Sequence, residues 1–465
     1  MMTTTTAVNM PLPQTLVYEL EALLGDRFST TEALRAQHGV GESFHPVEMP
    51  GAVAFPRSTE EVAATVRVCA AHAVPVIPFG AGTSLEGHVQ AVRGGVCIAT
   101  SRLTELIKLN PEDMDCRVES GMTRKTLEEH LKGSGLFFPI DPGADASLGG
   151  MAATGASGTT TVRYGTMRDN VLGLTVVLAD GRVIRTGGRA RKSSAGYDLT
   201  KLFLGSEGTL GVITEIAIRL HGIPEAISAA VCSFSTLEDA VNAVTLTVQM
   251  GVEVARAELL DEVQMDAVNQ FSDFSYPVRP TLFFEFHGSP AGVEEQANAV
   301  AGIASDLGAT DFEWATMAED RTKLWTARHE AYYAALALRP GCRGWVTDVC
   351  VPISRLADCM LATRSDIDSE GLIAPIVSHA GDGNFHVSFI IDPDDEEEMG
   401  RARRVNKKMV MRAIEMGGTC TGEHGVGYGK MPYLLLEHGE AVSTMRVIKK
   451  ALDPQEIMNP GKIFS

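Results

Sequence analysis

Two histidines and a glutamate–histidine pair lie in glycine-containing segments in the last quarter of the chain. His379 and His386 flank residues Gly381–Asn384, which predict the four-residue loop of a β-hairpin. This register places His379 directly opposite His386 with Cβ atoms about 5 Å apart, so that both imidazoles could hold one cation. Taken by itself, the segment would also fit two histidines stacked on a polar hairpin.

Glu423 and His424 lie in the second of these segments, Gly417–Lys430. Glu423 would complete a His, His, Glu set, which leaves coordination positions open as a catalytic metal site requires. Zinc, manganese and ferrous iron all fit these ligands. Beside a redox cofactor, such a cation would lower the pKa of a substrate hydroxyl while His424 removes the proton.

One arginine has neighbours typical of a carboxylate-binding group. Over residues 321–330, helical spacing places Arg321, Leu324, Trp325 and Arg328 on one face. An arginine that points from this face into a cleft would form a bidentate pair with a carboxylate. Without the other motifs, such an arginine would be interpreted as a solvated helix residue.

Three glycine-rich segments precede these residues: Pro78–Gly87, Asp141–Thr166 and Leu204–Ile213. Consecutive backbone N–H groups in such loops can bind a diphosphate, and small side chains let the main chain approach a flat ligand. Neither the GxGxxG nor the P-loop spacing is present. One such loop is usually a tight turn, but three, separated by strand patterns, favour a large nucleotide cofactor.

The elements that must position these residues follow from capping, turn and hydrophobic patterns. Ser58 and Glu61 predict a helix that continues to about His72. Residues 172–179 predict a buried strand that turns at residues 180–181 into a second strand. Beyond residue 224 the pattern changes to strands over 227–234 and 282–287, alternating with helices over 235–250 and 293–307, which predicts a domain boundary near Pro224.

Composition excludes several classes of function. The chain has 465 residues, and its 40 Lys+Arg against 59 Asp+Glu give a net charge of −19, which disfavours nucleic acid as a partner. Its eight cysteines include no CxxC pair, which indicates free thiols in a reducing compartment. Without a signal-peptide pattern or an apolar run of membrane-spanning length, we expect a cytoplasmic protein, and peripheral attachment to the inner membrane would be compatible.

Together these segments resemble the flavin-dependent 2-hydroxyacid dehydrogenases of the vanillyl-alcohol oxidase type. The resemblance extends from Pro56 to Lys462, nearly the whole chain. It implies an α+β fold of two domains: an FAD-binding domain of the p-cresol methylhydroxylase (PCMH) type and an α+β, ferredoxin-like substrate domain. Four motifs look most like the D-lactate branch of the family: Arg328–Tyr333, Arg339–Cys342, Thr347–Pro352 and Gly422–Gly425.

The resemblance also implies the domain boundaries and the cofactor-binding residues. The FAD domain would cover residues 1–224, the substrate and metal domain 225–424, and a C-terminal segment, 425–465, would return to the FAD domain. FAD would be bound non-covalently. The implied FAD-binding residues are Pro78, Gly80, Ala81, Gly82, Thr83, Ser84, Gly87, Pro142, Gly143, Ser147, Gly149, Gly150, Ala156, Ser157, Gly158, Tyr164, Gly165, Glu207, Gly208, Gly211, Val212, Ile213 and Asn459.

The active-site positions of the family also have counterparts in this sequence. The hydroxyglutarate enzymes of the family carry a lysine near Val346 for a second carboxylate, so a monocarboxylate substrate is favoured here. The implied roles are metal ligands for His379, His386 and Glu423, proton acceptor for His424, carboxylate anchor for Arg328 and further substrate contact for Asn384.

The implied activity is FAD- and metal-dependent oxidation of D-lactate, or a similar D-2-hydroxy monocarboxylate, to the 2-oxo acid. Hydride would pass to flavin N5, and the divalent metal would be zinc or manganese, with iron as a further choice. Since the chain lacks cluster-binding cysteines, the electrons would pass to a quinone, a cytochrome or a carrier protein. A homodimer would be compatible with the resemblance.

Three other functions remain open on the sequence alone. A flavin subunit of glycolate oxidase would need partner subunits and would prefer glycolate. A metallohydrolase that uses the His, His, Glu set would be colourless and independent of an electron acceptor. A non-catalytic nucleotide-binding module would carry FAD, but no hydroxy acid would reduce it.

Overall fold

A computed structural model describes residues 11–272 and 274–464. Within them the protein forms two compact units. Unit 1 contains the residues up to Ser157, then Thr166–Gly222 and those from Glu423 onward, and unit 2 contains Gly158–Gly165 and Ile223–Gly422. Residues 158–165, which the resemblance assigns to the FAD domain, therefore pack with unit 2.

The strands of unit 1 form two main sheets and a short pair. They are β1 (Phe28–Ser29), β2 (Ala52–Ala54), β3 (Val76–Phe79), β4 (Val96–Ala99), β5 (Leu106–Asn110), β6 (Asp115–Glu119), β7 (Leu136–Phe137), β8 (Val171–Val177), β9 (Val183–Gly187), β10 (Val212–Arg219) and β11 (His221–Gly222). The first sheet has the order β1-β2-β4-β3, with β2 and β3 parallel to β4. The second, β5-β6-β10-β8-β9, is antiparallel throughout, and β11 pairs with β7.

Helices cover both main sheets of unit 1, whose apolar residues form its core. They are Gln14–Leu24, Glu32–Gln37, Thr59–Ala71, Arg124–Leu131, Leu148–Thr154, Met167–Asn170, Leu199–Phe203, Met431–His438 and Ala441–Leu452. The predicted cap is present, because Ser58 Oγ accepts a hydrogen bond from the Glu61 N–H at 3.2 Å. The predicted hairpin forms between β8 and β9, but β8 ends at Val177, since the Leu178 N–H already bonds across the turn to the Arg182 carbonyl at 2.9 Å.

Unit 2 is built on one sheet. Its strands are β12 (Ala226–Ser233), β13 (Val254–Leu260), β14 (Thr281–Gly288), β15 (Thr310–Ala315), β16 (Arg343–Val346), β17 (Val349–Cys350), β18 (Ile376–His379) and β19 (Asn384–Ile391). The order is β15-β12-β14-β13-β18-β19-β16, with β17 also on β19. The two predicted strands are present as β12 and β14.

The helices of unit 2 pack on this sheet. They are Thr161–Tyr164, Leu237–Gln249, Glu262–Ser272, Pro290–Asp306, Ala318–His329, Ala331–Ala337, Leu356–Ser369 and Glu396–Glu415. A cluster with Val231, Phe283 and Trp325 joins one sheet face to the helix Ala318–His329 and its neighbours. The predicted helix over 235–250 begins later, at Leu237, because Thr236 and not Ser235 caps it. None of the helices in the two described ranges is long and apolar enough to cross a bilayer.

The hairpin that carries the two histidines has a different register from the predicted one. His379 pairs with Asn384, and His386 pairs with Val377, so the loop is Ala380–Gly383. The prediction that His379 directly opposes His386 is wrong: the loop begins one residue earlier, and the partner of His379 lies two residues before His386. Gly383 ends the loop with φ +75°, and a Cβ there would collide with the Val351 carbonyl, so this position requires glycine and the pairing starts at the next residue.

A buried aspartate in unit 2 gives a prediction about stability and pH. Asp261 caps the helix Glu262–Ser272 by accepting from the Gln264 N–H at 2.8 Å, and Arg364 Nη1 lies 3.3 Å from its other oxygen. Burial outweighs these contacts and raises the pKa of Asp261 to about 7. Because this pKa lies above the unfolded value of about 3.9, the stability from this proton is complete below that value and is lost as the pH rises to about 7.

We therefore expect the Asp261→Asn variant, which cannot ionise, to gain stability relative to wild type as the pH rises from about 4 to about 7. The thermal unfolding midpoint of Asp261→Asn, measured relative to that of wild type, should rise with pH across this range and then stay constant. The matched control is Asp368→Asn, which removes the exposed carboxylate on the same arginine. A midpoint difference for Asp261→Asn that does not change with pH would contradict the prediction.

Candidate active site

A buried carboxylate joins a histidine and an arginine on one face of the sheet of unit 2. Glu258 on β13 pairs across the strands with His379 on β18, and His379 Nδ1 lies 2.7 Å from Glu258 Oε1. The Nε of Arg328 donates to Glu258 Oε2 at 2.7 Å. Burial raises the pKa of the Glu258 carboxyl, but the charges of His379 and Arg328 outweigh burial and hold the pKa below its usual value.

Arg328 uses only one edge of its guanidinium for this ion pair. It lies near the end of the helix Ala318–His329, and its side chain is 15% exposed. Its Nη1 and Nη2 bind no group in the part of the chain that the structure describes. Arg328 is therefore held by Nε and has two terminal nitrogens for a further carboxylate, as a bidentate contact requires.

The two predicted histidine ligands lie together despite the altered register. Because Asn384 and His386 are two residues apart on β19, they share a sheet face, and His386 becomes the diagonal neighbour of His379. The ring centroids are 5.3 Å apart with the rings edge to face. His386 Nδ1 lies 3.1 Å from the Thr347 carbonyl, and His379 Nδ1 is bonded to Glu258, so Nε2 is in each ring the nitrogen suited to a cation.

Asn384 lies on the same face and is oriented by Asp348. Its Nδ2 donates to Asp348 Oδ1 and to the Val349 carbonyl, both at 2.7 Å. These two acceptors determine which end of the amide is nitrogen. Its Oδ1 is buried with no partner within residues 11–272 and 274–464, so it can accept a hydrogen bond from a ligand.

Unit 1 brings the three predicted glycine-rich segments together. A side chain on Gly80 would collide with Ser147 Oγ, and a Cβ on Gly208 would lie 2.8 Å from Pro78 Cγ. The Glu207 N–H also bonds to the Ala153 carbonyl at 2.8 Å. Through these contacts, residues from all three segments lie close together at the end of β3.

This part of unit 1 fits a nucleotide cofactor. The four N–H groups from Ala81 to Ser84 donate to no other group within the described ranges. Ser84 Oγ, Ser120 Oγ and Ser206 Oγ are buried without partners there. Unpaired N–H and hydroxyl groups around a glycine loop are what a diphosphate with its ribose hydroxyls would satisfy.

The C-terminal part of unit 1 supplies the loop with Glu423 and His424, both half-buried. Glu423 Oε2 accepts a hydrogen bond from Ser157 Oγ at 2.6 Å. Glu207 accepts from the N–H groups of Val426 and Gly427 at 2.7 and 2.8 Å. Its carboxylate therefore stabilises the residues that follow His424.

Several predicted FAD-binding residues have structural contacts of their own. Asn459 Nδ2 donates to the backbone carbonyls of His88 and Glu207. Gly211, Val212 and Ile213 pack against β8, and Gly149 packs against Ser120. Three of the predicted FAD-binding residues, Gly158, Tyr164 and Gly165, lie in unit 2. The hydroxyl of Tyr164 is 2.7 Å from His287 Nδ1. Pro142, Gly143, Gly150 and Ala156 lie in the second glycine-rich segment, Thr83 and Gly87 in the first, and Gly158 and Gly165 beside Tyr164.

Two protein-family models match this sequence. One, described as an FAD binding domain, matches residues 50–187. The other, described as the C-terminal domain of FAD linked oxidases, matches residues 223–463, which is more than half of the chain. The chain belongs to the FAD-linked oxidases. The predicted FAD-dependent oxidoreductase class is thus confirmed.

Curated relatives of this FAD-linked oxidase are similar over most of their length. A probable mitochondrial D-lactate dehydrogenase of Danio rerio is 50% identical over 97% of this chain and 91% of its own. A mitochondrial D-lactate dehydrogenase (cytochrome) of Arabidopsis thaliana is 49% identical over 97% of this chain and 80% of its own. The GlcD subunit of glycolate oxidase from Bacillus subtilis (strain 168) is 32% identical over 95% and 94%.

Solved structures confirm the predicted fold class of this FAD-linked oxidase. Substrate-bound p-cresol methylhydroxylase superimposes with a TM-score of 0.77 at 17% identity, over 97% of this chain and 96% of that one. An alkyldihydroxyacetonephosphate synthase also has a TM-score of 0.77, at 21% identity, over 98% and 86%. At such identities the likeness concerns the fold alone. The fold is α+β with two domains and a PCMH-type FAD-binding domain.

Sequence analysis of this FAD-linked oxidase missed two acidic residues of the site. Glu258 is 1% exposed within the otherwise apolar residues 257–260, and a carboxylate inside a buried strand is a signal that could have been used. Asp348 lies in a motif that was noted, but no role was assigned to it. It accepts from Asn384 and from Thr421 Oγ1 at 2.7 Å, so it orients two residues.

Proposed function

We propose that this FAD-linked oxidase oxidises D-lactate, or a similar D-2-hydroxy monocarboxylate, to the 2-oxo acid. The observation that carries the proposal is the face of unit 2 where Arg328 is joined through Glu258 to His379, whose ring contacts His386. Two guanidinium nitrogens of Arg328 have no partner among the residues that the structure describes. A carboxylate anchor beside two metal-binding side chains matches the two functional groups of a 2-hydroxy acid. The names of the relatives from Danio rerio and Arabidopsis thaliana favour D-lactate.

Arg328 would bind the substrate carboxylate through Nη1 and Nη2. Since Nε is bonded to Glu258, the plane of the guanidinium is set before the substrate arrives, which lowers the entropy lost on binding. Asn384 Oδ1 would accept a hydrogen bond from the substrate hydroxyl. This contact satisfies the buried oxygen and favours a hydroxy acid over a substrate without a donor there.

His379, His386 and Glu423 would hold a divalent cation, zinc or manganese, and iron also fits. Gly422, next to Glu423 in the chain, packs so closely on the Asn384 amide that a side chain there would collide with it. Successive Cα atoms are about 3.8 Å apart, so this packing supports Glu423 as the third ligand. A cation bound there would supply charge that lowers the pKa of the substrate hydroxyl.

His424 would accept the hydroxyl proton as the hydride leaves C2. FAD, when bound, supplies the acceptor for that hydride. Glu207 positions the loop by accepting hydrogen bonds from the backbone of Val426 and Gly427, two and three residues after His424. In unit 1 the N–H groups of Ala81–Ser84, which have no partner in the described part of the chain, would bind the cofactor diphosphate.

The identities of the substrate and of the electron acceptor are further parts of the proposal. We favour a monocarboxylate, since the resemblance puts the lysine of the hydroxyglutarate enzymes near Val346, which lies on β16. Glycolate is the second candidate, favoured by the 32% identity to the glycolate oxidase subunit. Electrons would pass to a quinone, a cytochrome or a carrier protein, and the name of the Arabidopsis relative, D-lactate dehydrogenase (cytochrome), favours a cytochrome. Cytoplasmic location and a homodimer stay predictions, and the first two relatives are named mitochondrial.

An anaerobic titration tests the proposal. We expect the purified protein to show a flavin spectrum that D-lactate bleaches faster than L-lactate, glycolate or D-2-hydroxyglutarate at equal concentration. Faster bleaching by glycolate would favour the glycolate oxidase subunit. A flavin that none of the four acids reduces would overturn the dehydrogenase proposal and leave a nucleotide-binding module.

A further inference from the structure

Glu258 is a charged residue to which the proposal above gives only the orientation of Arg328. It is 1% exposed and lies within the sheet of unit 2. Its Oε1 bonds to His379 Nδ1 at 2.7 Å and its Oε2 to Arg328 Nε at 2.7 Å. His379 Nδ1 is also within 2.9 Å of Oε2, so one carboxylate is shared between the two side chains.

The geometry gives this carboxylate two effects. As the acceptor of the Nδ1 proton, it holds the imidazole in the tautomer that presents Nε2 to a cation. As the acceptor of the Arg328 Nε proton, it orients the guanidinium so that Nη1 and Nη2 remain for a substrate. A single rotation of the Glu258 side chain would therefore disturb both groups.

The charge of Glu258 has a further consequence. A divalent cation and the Arg328 guanidinium would place two positive groups close together on this face, where Asp348 also supplies a carboxylate, with its Oδ1 3.9 Å from His386 Nδ1. Like charges in a desolvated region repel more strongly than in water. The Glu258 carboxylate opposes this repulsion at both cationic groups.

We propose that Glu258 is a positioning residue that couples the metal site to the substrate-carboxylate anchor. The inference rests on the proposed function, since it concerns the metal and the substrate named there. It implies that one substitution lowers two affinities that belong to different ligands. Loss of either partner alone should lower mainly one of them.

The test compares Glu258→Gln with wild type in two separate measurements. Glutamine keeps the shape of the side chain, but its single amide oxygen can accept from only one of the two partners while its NH₂ faces the other donor. We expect the dissociation constant for Mn²⁺ alone, measured by calorimetry without substrate, to rise about 10- to 100-fold. We expect KM for D-lactate at saturating Mn²⁺ to rise by on the order of tenfold, because the arginine is no longer oriented.

Two further variants make the outcome specific. Glu398→Gln is the matched control, because Glu398 is a buried glutamate of the same unit that pairs with Arg339 at 2.6 Å. It should leave both values unchanged. Arg328→Met should raise KM and leave Mn²⁺ binding within a few fold of wild type. Should Glu258→Gln fail to fold by circular dichroism, Glu258→Asp, which retains the charge but is too short to reach both partners, replaces it.

The outcomes separate this inference from the proposed function. Wild type that binds no Mn²⁺ and whose flavin no hydroxy acid reduces would overturn the proposed function. Wild type that binds Mn²⁺ and oxidises D-lactate, with Glu258→Gln unchanged in both measurements, would overturn the coupling alone. A change in only one of the two affinities would reduce Glu258 to a partner of that side chain and would also overturn the coupling.

Discussion

Replacement of His424 by alanine is expected to slow reduction of the bound flavin by D-lactate about 10²- to 10⁴-fold, the range over which positioned general bases act. The reason is that no other proposed role removes the hydroxyl proton, whereas Arg328 and the histidine pair only bind and orient. The rate of flavin bleaching after anaerobic mixing measures this step directly. Flavin and metal content should equal those of wild type, because His424 is assigned to neither cofactor.

His438→Ala is the control for this variant. His438 is an exposed histidine in the same C-terminal part of unit 1, at the end of the helix Met431–His438. In the His438→Ala variant, D-lactate should reduce the flavin at the wild-type rate. If the same held for His424→Ala, His424 would be removed from the mechanism and another base would have to be sought.

Glu423→Ala is expected to abolish metal binding at concentrations that saturate wild type, and with it the reduction of flavin by D-lactate. Loss of one of three protein ligands should exceed the 10- to 100-fold effect that is typical of a residue that only supports a ligand. Elemental analysis of the purified variant and a Mn²⁺ titration measure this loss. The flavin spectrum should persist, since Glu423 is not among the proposed FAD-binding residues.

Ser157→Ala is the matched control for Glu423. It removes the 2.6 Å hydrogen bond to Glu423 Oε2 and leaves the carboxylate in place. Its Mn²⁺ affinity should fall by no more than about 100-fold. Equal metal content in Glu423→Ala and wild type would exclude Glu423 as a ligand, and a larger loss in Ser157→Ala would assign the metal to a different set.

Features that depend on neighbouring residues were predictable from the sequence. The cap at Ser58, the turn between β8 and β9 and the strands β12 and β14 depend on a few adjacent side chains and on hydrophobic period. The composition of the glycine-rich segments also favoured a common role for them beside one large cofactor. Small residues permit a close approach wherever the fold requires one, as between Gly80 and Ser147.

Features that depend on tertiary contacts were not predictable in the same way. The predicted hairpin loop was displaced by one residue, and the partner of His379 by two, because the loop is set by Gly383 against the Val351 carbonyl, which local turn rules do not include. Glu258 was missed because its partner His379 is 121 residues away in the sequence. A single sequence offers no means of pairing two such positions, although a buried acidic residue in a strand indicates that a partner exists.

The return of the C-terminal segment to unit 1 has a consequence for how the protein folds. The Val76 N–H bonds to the Ile457 carbonyl at 2.7 Å, and the Asn459 N–H bonds to the Val76 carbonyl at 2.8 Å, so residues 457–459 extend the edge of the first sheet at β3. During synthesis, β3 must therefore wait for some 380 residues before this edge is paired. Unit 2 is nearly complete by then, and the closure of so long a loop makes the last step of unit 1 an intrinsically slow one. Until that step, the unpaired edge of β3 is open to mispairing with another strand.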